Sequence, residues 1–373
     1  MQQISDNQQT GAKASVLRSA VWVSVITLLI TAAWCAWVWF EADQDFKVFA
    51  WLGTYFTEDD PNGNIGYDGQ FYYLIARDGA DSIPILDGAS FRLQRILYPL
   101  VGRLLAFGQP DFVGFTLILI NVVAHSITTG LLAYLVSRTG VNPYWALFYA
   151  VWYGALVGVR FDLTEPLCFV LAMGAIVAVL HQRYWLTLIL LVLSVFAKEI
   201  GVVFAVGIAL WLLQQRKWLW VILYAVVPVT LLLGWWQVLY SWLNESPMSY
   251  PGAKFSLIPF GGMILIRDAL DLFFAVLWLL APMAFITWFW LHQLIQTRRL
   301  SLNMALWFVS VGFVATLAGA VWQDPVATYR VATPVVLVGY WLVCEHFPRY
   351  HRVFVFWWGS SVVFFVLLLQ QTV

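Results

Sequence analysis

The chain has 373 residues, of which 62% are hydrophobic and only 11% charged, where soluble domains average about 25% charged. That composition excludes an ordinary soluble enzyme and describes a polytopic, all-α membrane protein. The 20 basic and 20 acidic residues cancel to a formal net charge of zero, so the overall charge gives no hint of nucleic-acid binding.

A polar stretch precedes the first apolar run, at 16–40, which has no small-residue cleavage site and reads as a retained helix rather than a removed signal peptide. The connection that follows, 41–111, is too long and too rich in aromatics and arginine for a plain linker. Within it "FYYLIA" and "ILYPLVGRLLAF" are apolar enough to predict short amphipathic helices lying at headgroup level. Apolar runs then occupy 112–137, 143–160 and 164–181. The stretch 184–213 is interrupted by Lys198 and Glu199. As one helix it would put a lysine near mid-bilayer, at about 2.5–3.5 kcal/mol. As a hairpin each arm spans about 21 Å of a ~30 Å core, and this is the preferred reading. A second long connection, 241–268, and runs at 218–240, 269–292, 302–322, 329–344 and 351–370 complete the chain. Cys35, Cys168 and Cys344 are too scattered for a metal site and too few for a disulfide framework, so they read as packing residues.

The charges between the runs give a topology. With a hairpin at 184–213 and the amino terminus in the cytoplasm, about eleven crossings put Lys13, Arg18, Arg138, Arg183, Arg216, Lys217, Arg298, Arg299, Arg349 and Arg352 inside. Nearly every carboxylate then lies outside, Glu345 being the main exception, and so does the carboxyl terminus. Neither an internal repeat nor a second domain interrupts the single unit 1–373.

Five outer segments carry ionisable groups. In "GYDGQFYY" glycines flank Tyr67 and Asp68. Asp68 there is either the N-cap of a short helix or, with Gln70 and Tyr72, a carboxylate that binds or deprotonates a hydroxyl-rich ligand. In "FRLQRILYPL" Arg92 and Arg95 share a helix face, and Arg103 joins them only if the helix continues through Pro99. They either snorkel to lipid phosphates or clamp the phosphate of a lipid-linked substrate. "VRFDLTEPL" supplies Arg160, Asp162 and Glu165; Thr164 or Asp162 suits the cap of the next helix, and Glu165 needs another account. "AKEIG" gives Lys198 and Glu199, either a local ion pair or a lysine meeting a lipid phosphate. "QDPVATYRVATP" brings Asp324, Tyr329 and Arg330, the last either an interfacial anchor or part of the same site. His125 stands alone and reads as a packed, hydrogen-bonded residue. No metal signature or nucleotide-binding glycine loop is present.

"YDGQFYYLIA", "RLQRILYPL", "LTEPL" and "AKEIG" together resemble the GT-C superfamily of polytopic glycosyltransferases, in particular bacterial members distantly similar to the mannosyltransferases of GPI-anchor assembly. The resemblance covers about residues 40–205. It implies a GT-C-like fold in a bacterial inner membrane and an inverting transfer from a polyprenyl-phosphate sugar. By position Asp68 matches the acid of the first outer loop, Arg92 and Arg95 the basic cluster after it, Glu165 the acid opening a later helix, and Lys198 the lysine of the short hairpin. Asp68 and Glu165 are then the catalytic acids, and Tyr67, Gln70, Tyr72, Arg92, Arg95, Lys198 and Arg330 bind substrate. The family's acid is often one of a DxD or ExD pair, whereas Asp68 stands alone, with Glu41, Asp43, Asp59 and Asp60 as substitutes. No cofactor is implied, although a divalent metal stays open. The partners are the lipid-linked sugar, membrane lipids, an unidentified acceptor and a membrane complex, with no nucleic acid. Two other readings stand beside this one. Against a secondary transporter or flippase, the chain shows no internal repeat and few ionisable residues at mid-membrane depth. A non-catalytic subunit that keeps the fold would have no room for a lipid phosphate beside Asp68.

Overall fold

The structure, a computed structural model, describes residues 2–250 and 254–369. Among these residues every regular element is helical. Among the described residues four helices are long and apolar enough to cross a membrane: Ser15–Glu41, Pro110–Ser137, Trp218–Leu243 and Ala269–Thr297. Pro325–Val331 and Thr333–His346 form a fifth if their 44° bend is taken as one broken span. In chain order the elements that matter for the site are α1 (Gln2–Glu41), α2 (Gly69–Asp78), α3 (Ala89–Leu93), α4 (Leu97–Leu105), α5 (Val113–Ser137), α6 (Tyr153–Arg160), α7 (Glu165–Leu180), α8 (Tyr184–Ala197), α9 (Gly201–Gln214), α10 (Trp218–Leu243), α11 (Ala269–Thr297), α12 (Leu302–Ala315), α13 (Pro325–Val331) and α14 (Thr333–His346).

The interrupted stretch at 184–213 is a hairpin. Its arms α8 and α9 have 14 residues each. Lys198 between them is extended (φ −160°, ψ 140°), which ends α8. The arms lie side by side and antiparallel, because Lys217, just past the end of α9, donates to the hydroxyl of Tyr184, which opens α8.

Besides 329–344, which bends between α13 and α14, three apolar runs that read as single helices are broken. In 143–160, Pro143–Val151 winds as a 3-10 helix capped by Asn142, and Trp152 is extended (ψ 123°) before α6 begins. A residue with no intrahelical N–H starts the tight turn, and the extended tryptophan forbids its continuation into α6. In 302–322, α12 stops at Ala315 and a short helix resumes only at Gly319. In 351–370, the helix ending at Gly359 is separated from Val362–Leu369 by two serines, and residue 370 and the carboxyl terminus lie outside the described residues.

The first long connection also differs from expectation. "FYYLIA" in α2 does not lie at a lipid surface: every residue from Phe71 to Ala76 is at most 5% exposed. It packs against Tyr98, Val113 and Leu117, and Arg103 Nη1 donates to the carbonyls of Ala76 and Arg77, closing its C-terminal end. That capping role takes Arg103 away from Arg92. Gly69 permits this burial, since a Cβ there would lie 1.9 Å from the Phe161 carbonyl oxygen. By contrast α4 is amphipathic, with Tyr98 and Gly102 buried and Leu100, Leu104 and Leu105 exposed.

Hydrogen bonds tie the helices together at two ends. At one end Tyr134 meets His181, Gln214 meets Leu300, and Ser301 and Asn303 meet Glu345 and His346. The connections at that end carry Arg138, Arg183, Arg216, Lys217, Arg298 and Arg299. The other end holds the candidate site.

Candidate functional site

Asp68 precedes α2 and, despite its position, does not cap it; its backbone is itself helical (φ −51°, ψ −32°) and its side chain makes no cap hydrogen bond. Instead Oδ1 lies 2.9 Å from Arg92 Nη1, and Oδ2 accepts from Arg330 Nη2 at 2.5 Å. The capping alternative therefore gives way to an ion-paired carboxylate. Its neighbours divide by role. Gln70 fastens the preceding loop, accepting from Gly53 N (3.0 Å) and donating to the Ile65 carbonyl (2.7 Å), so it faces no cavity. Tyr67 donates to Asp324 Oδ2 at 3.1 Å, and the Tyr72 hydroxyl accepts from Arg95 Nη1 at 2.7 Å.

Arg92 and Arg95 are 2% and 5% exposed, so neither snorkels to lipid. Each forms a two-pronged pair with a carboxylate, the geometry in which a guanidinium binds most strongly. Arg92 holds Asp87 through Nε (2.7 Å) and Nη2 (2.6 Å), and Arg95 holds Glu199 through Nε (2.8 Å) and Nη2 (2.6 Å). Lys198 and Glu199, adjacent in sequence, do not pair with each other. Lys198 Nζ donates to Glu165 Oε1 at 2.5 Å, and the same oxygen accepts from Arg330 Nη1 at 3.1 Å. Glu165 thus acquires its account at the head of α7: it joins the hairpin turn to α13. Capping is not the role of its neighbours, since Thr164 makes no cap bond and both carboxyl oxygens of Asp162 are buried without a hydrogen-bond partner.

These groups surround a cavity of about 430 Å³. Asp68, Arg92, Arg95, Lys198, Glu199 and Arg330 line it, together with Asp324 at the head of α13. The remaining wall is mostly apolar, from Leu232 and Trp236 of α10, Val203 of α9 and Phe313 of α12, with Gln94 and the exposed Lys254 as polar members. Tyr250, from the second long connection, stacks on Phe91 (centroids 4.1 Å apart) and donates to Asp87 at 2.8 Å, closing one side. Glu165 lies beneath the lining, its side chain 2% exposed. Glu41, Asp43, Asp59 and Asp60 do not line the cavity, so they are poor substitutes for Asp68.

The electrostatics follow from the pairing. Burial alone would raise the Asp68 carboxyl, but Arg92 and then Arg330 outweigh it and hold it well below the usual carboxylate range. Glu199 is likewise brought down to about 2, Arg95 outweighing the cost of burial. Burial pushes Lys198 down to about 8 against the pull of Glu165. Asp324 goes the other way: burial raises it, and Arg330 only partly opposes the rise.

Sequence reasoning missed Asp87 and Tyr250. No local pattern marks Asp87, because its pairing with Arg92 depends on the turn through Gly88, and Tyr250 arrives from 158 residues away. Among the described residues no group of three or more His, Cys, Asp or Glu is arranged to hold a metal ion. Set against protein-family models, curated proteins and solved structures, the chain matches none.

Proposed function

We propose that this protein is a membrane glycosyltransferase of GT-C type that moves a sugar from a polyprenyl-phosphate donor to an acceptor on the outer face of a bacterial inner membrane. In this reading the chain crosses about eleven times, with the amino terminus cytoplasmic, the carboxyl terminus periplasmic and the cavity opening outward. The short and broken apolar segments count as crossings, and the arginine-rich connections at the end opposite the cavity are the inner loops.

The observation that carries the reading is the joining of four buried cations and an apolar wall in one cavity. A phosphate leaving group needs several fixed donors, and a polyprenyl tail needs a hydrocarbon surface beside them. Arg92, Arg95, Lys198 and Arg330 supply the donors, and Leu232, Trp236 and Phe313 supply the surface. The phosphate enters most readily at Arg95, because Glu199 is 31% exposed and is the easiest carboxylate to displace. Departing negative charge is then stabilised by groups already held in place by their own ion pairs. A volume of about 430 Å³ falls in the range of small-molecule sites, which weighs against a non-catalytic subunit with a filled cavity.

The test is donor binding by purified protein in lipid nanodiscs, with radiolabelled polyprenyl-phosphate glucose as probe. Arg95→Gln is expected to weaken binding about tenfold or more, the loss of one charge-assisted pair. Equal binding by wild type and Arg95→Gln, or none by either, would sink the reading in favour of a transporter or a partner subunit.

A further inference from the structure

We propose that Asp324 takes the proton from the acceptor hydroxyl, and that Asp68 is a positioning residue that holds Arg92 and Arg330 against the donor phosphate. The proposal rests on the transferase reading and deepens it. Three carboxylates line the cavity: Asp68, Glu199 and Asp324. Two of them are occupied, Asp68 by Arg92 and Arg330, and Glu199 by both prongs of Arg95. Asp324 forms no ion pair among the described residues. Around the cavity the buried cations Arg92, Arg95, Lys198 and Arg330 are met by the carboxylates Asp68, Asp87, Glu165 and Glu199, and the exposed Lys254, which also lines it, forms no ion pair among the described residues. Of the three carboxylates lining the cavity, Asp324 is the one that no cation grips.

A base needs affinity for the proton it removes, and a carboxylate gripped by two guanidiniums has little. Asp324 retains that affinity, and burial strengthens it. It is also held still. Oδ1 accepts the Val326 N–H at 2.9 Å, fixing the side chain at the head of α13, and Oδ2 accepts the Tyr67 hydroxyl at 3.1 Å. The Ala327 N–H also acts on the carboxylate, and three donors still leave one of its four lone pairs for an acceptor hydroxyl. Tyr67 spans the two functions, since its ring also lies under Arg330 at 5.4 Å. The charged and titratable groups that act on Asp324 are Arg330 on its own helix, Tyr67 and Asp68 from the first connection, Asp271 from α11 and Tyr153 from α6.

In the step so described, the acceptor oxygen bonds to the anomeric carbon as the bond from that carbon to the phosphate oxygen breaks. The electron pair leaves with the polyprenyl phosphate, the hydroxyl proton passes to Asp324, and solvent later removes it.

The experiment uses the intact protein in nanodiscs with radiolabelled polyprenyl-phosphate glucose, water serving as acceptor and free glucose as readout. Asp324→Asn is expected to lower kcat about 100-fold or more with KM unchanged. Asp68→Asn is expected to raise KM and to keep the rise of kcat with pH on the acid side. Tyr67→Phe removes a donor that favours the ionised carboxylate, so that acid-side rise should move to higher pH with KM unaltered. A merely structural Asp324 would not give that shift. Active wild type with an equally active Asp324→Asn overturns the assignment and leaves the transferase reading standing. Loss of kcat in Asp68→Asn at constant KM returns the base to Asp68. A wild type that releases no glucose while failing to bind the probe overturns both.

Discussion

Asp162, in the turn after α6, and Glu165, the first residue of α7, lie three residues apart, and both are buried, at 0% and 1% exposure. Their surroundings are opposite. Glu165 receives Lys198 and Arg330, from 33 and 165 residues away, and stays within an ion-pair network. Asp162 receives no hydrogen bond, and its neighbour Arg160 turns Nη1 to the Val48 carbonyl at 2.7 Å instead. Burying an ion costs several kcal/mol unless a partner and hydrogen bonds offset it. Glu165 meets that cost with two cations, whereas Asp162 avoids it by keeping its proton: burial raises its carboxyl well above the usual range, with Arg160 and then the Tyr98 hydroxyl opposing only in part. The same local segment therefore holds one charged and one neutral acid, and distant chain segments decide which is which.

The largest expected effect comes from breaking the paired member. Lys198→Met removes the 2.5 Å partner of Glu165 and should cost about 3 kcal/mol, seen as a lower thermal unfolding midpoint by tryptophan fluorescence in detergent. Adding Glu165→Gln should recover part of that loss, since the stranded charge goes with it. A Lys198→Met protein as stable as wild type would mean that Arg330 alone suffices for Glu165.

An intermediate effect is expected where the pair reaches water. Glu199 is 31% exposed, so Glu199→Gln should cost about 1 kcal/mol, and less at high salt. A loss as large as that of Lys198→Met would place Glu199 with the sealed pairs and remove it as the displaceable carboxylate.

The smallest effect belongs to Asp162→Asn, which replaces a neutral acid by a neutral amide and should change stability by less than about 1 kcal/mol in acid. The sign with pH is fixed by the raised carboxyl. The folded protein keeps a proton that the unfolded chain loses near pH 4, so wild type loses stability as pH rises from about 4 until the buried carboxyl itself ionises. The Asn variant should gain on wild type over that window. Parallel pH–stability curves would show that Asp162 is ionised and partnered when folded.

The hairpin was legible in the sequence because its signal is local: adjacent charges at Lys198 and Glu199 inside an apolar run cannot be buried mid-helix at low cost. The residue types of the site were legible for a related reason, as ionisable side chains beside apolar runs are expensive and therefore few. The helix breaks at Trp152 and after Ala315 were not, because an extended tryptophan or a turn inside an apolar stretch leaves hydropathy unchanged. Nor was the burial of "FYYLIA", since the same apolar face suits a lipid surface and a protein core, and only the close approach of Gly69 to Phe161 selects the core.

Composition and the spacing of charges by themselves determined that this is an apolar helical chain with its ionisable groups gathered in a few connections. Tertiary structure alone decided the pairing. Arg92 found Asp87 rather than lipid, Lys198 found Glu165 rather than Glu199, and Asp68 joined Arg330 across 262 residues. The physical reason is that transfer cost is a sum over nearby residues and can be read along the chain. Whether a buried charge is met, shared or left to keep its proton depends on which groups folding brings within about 3 Å of it.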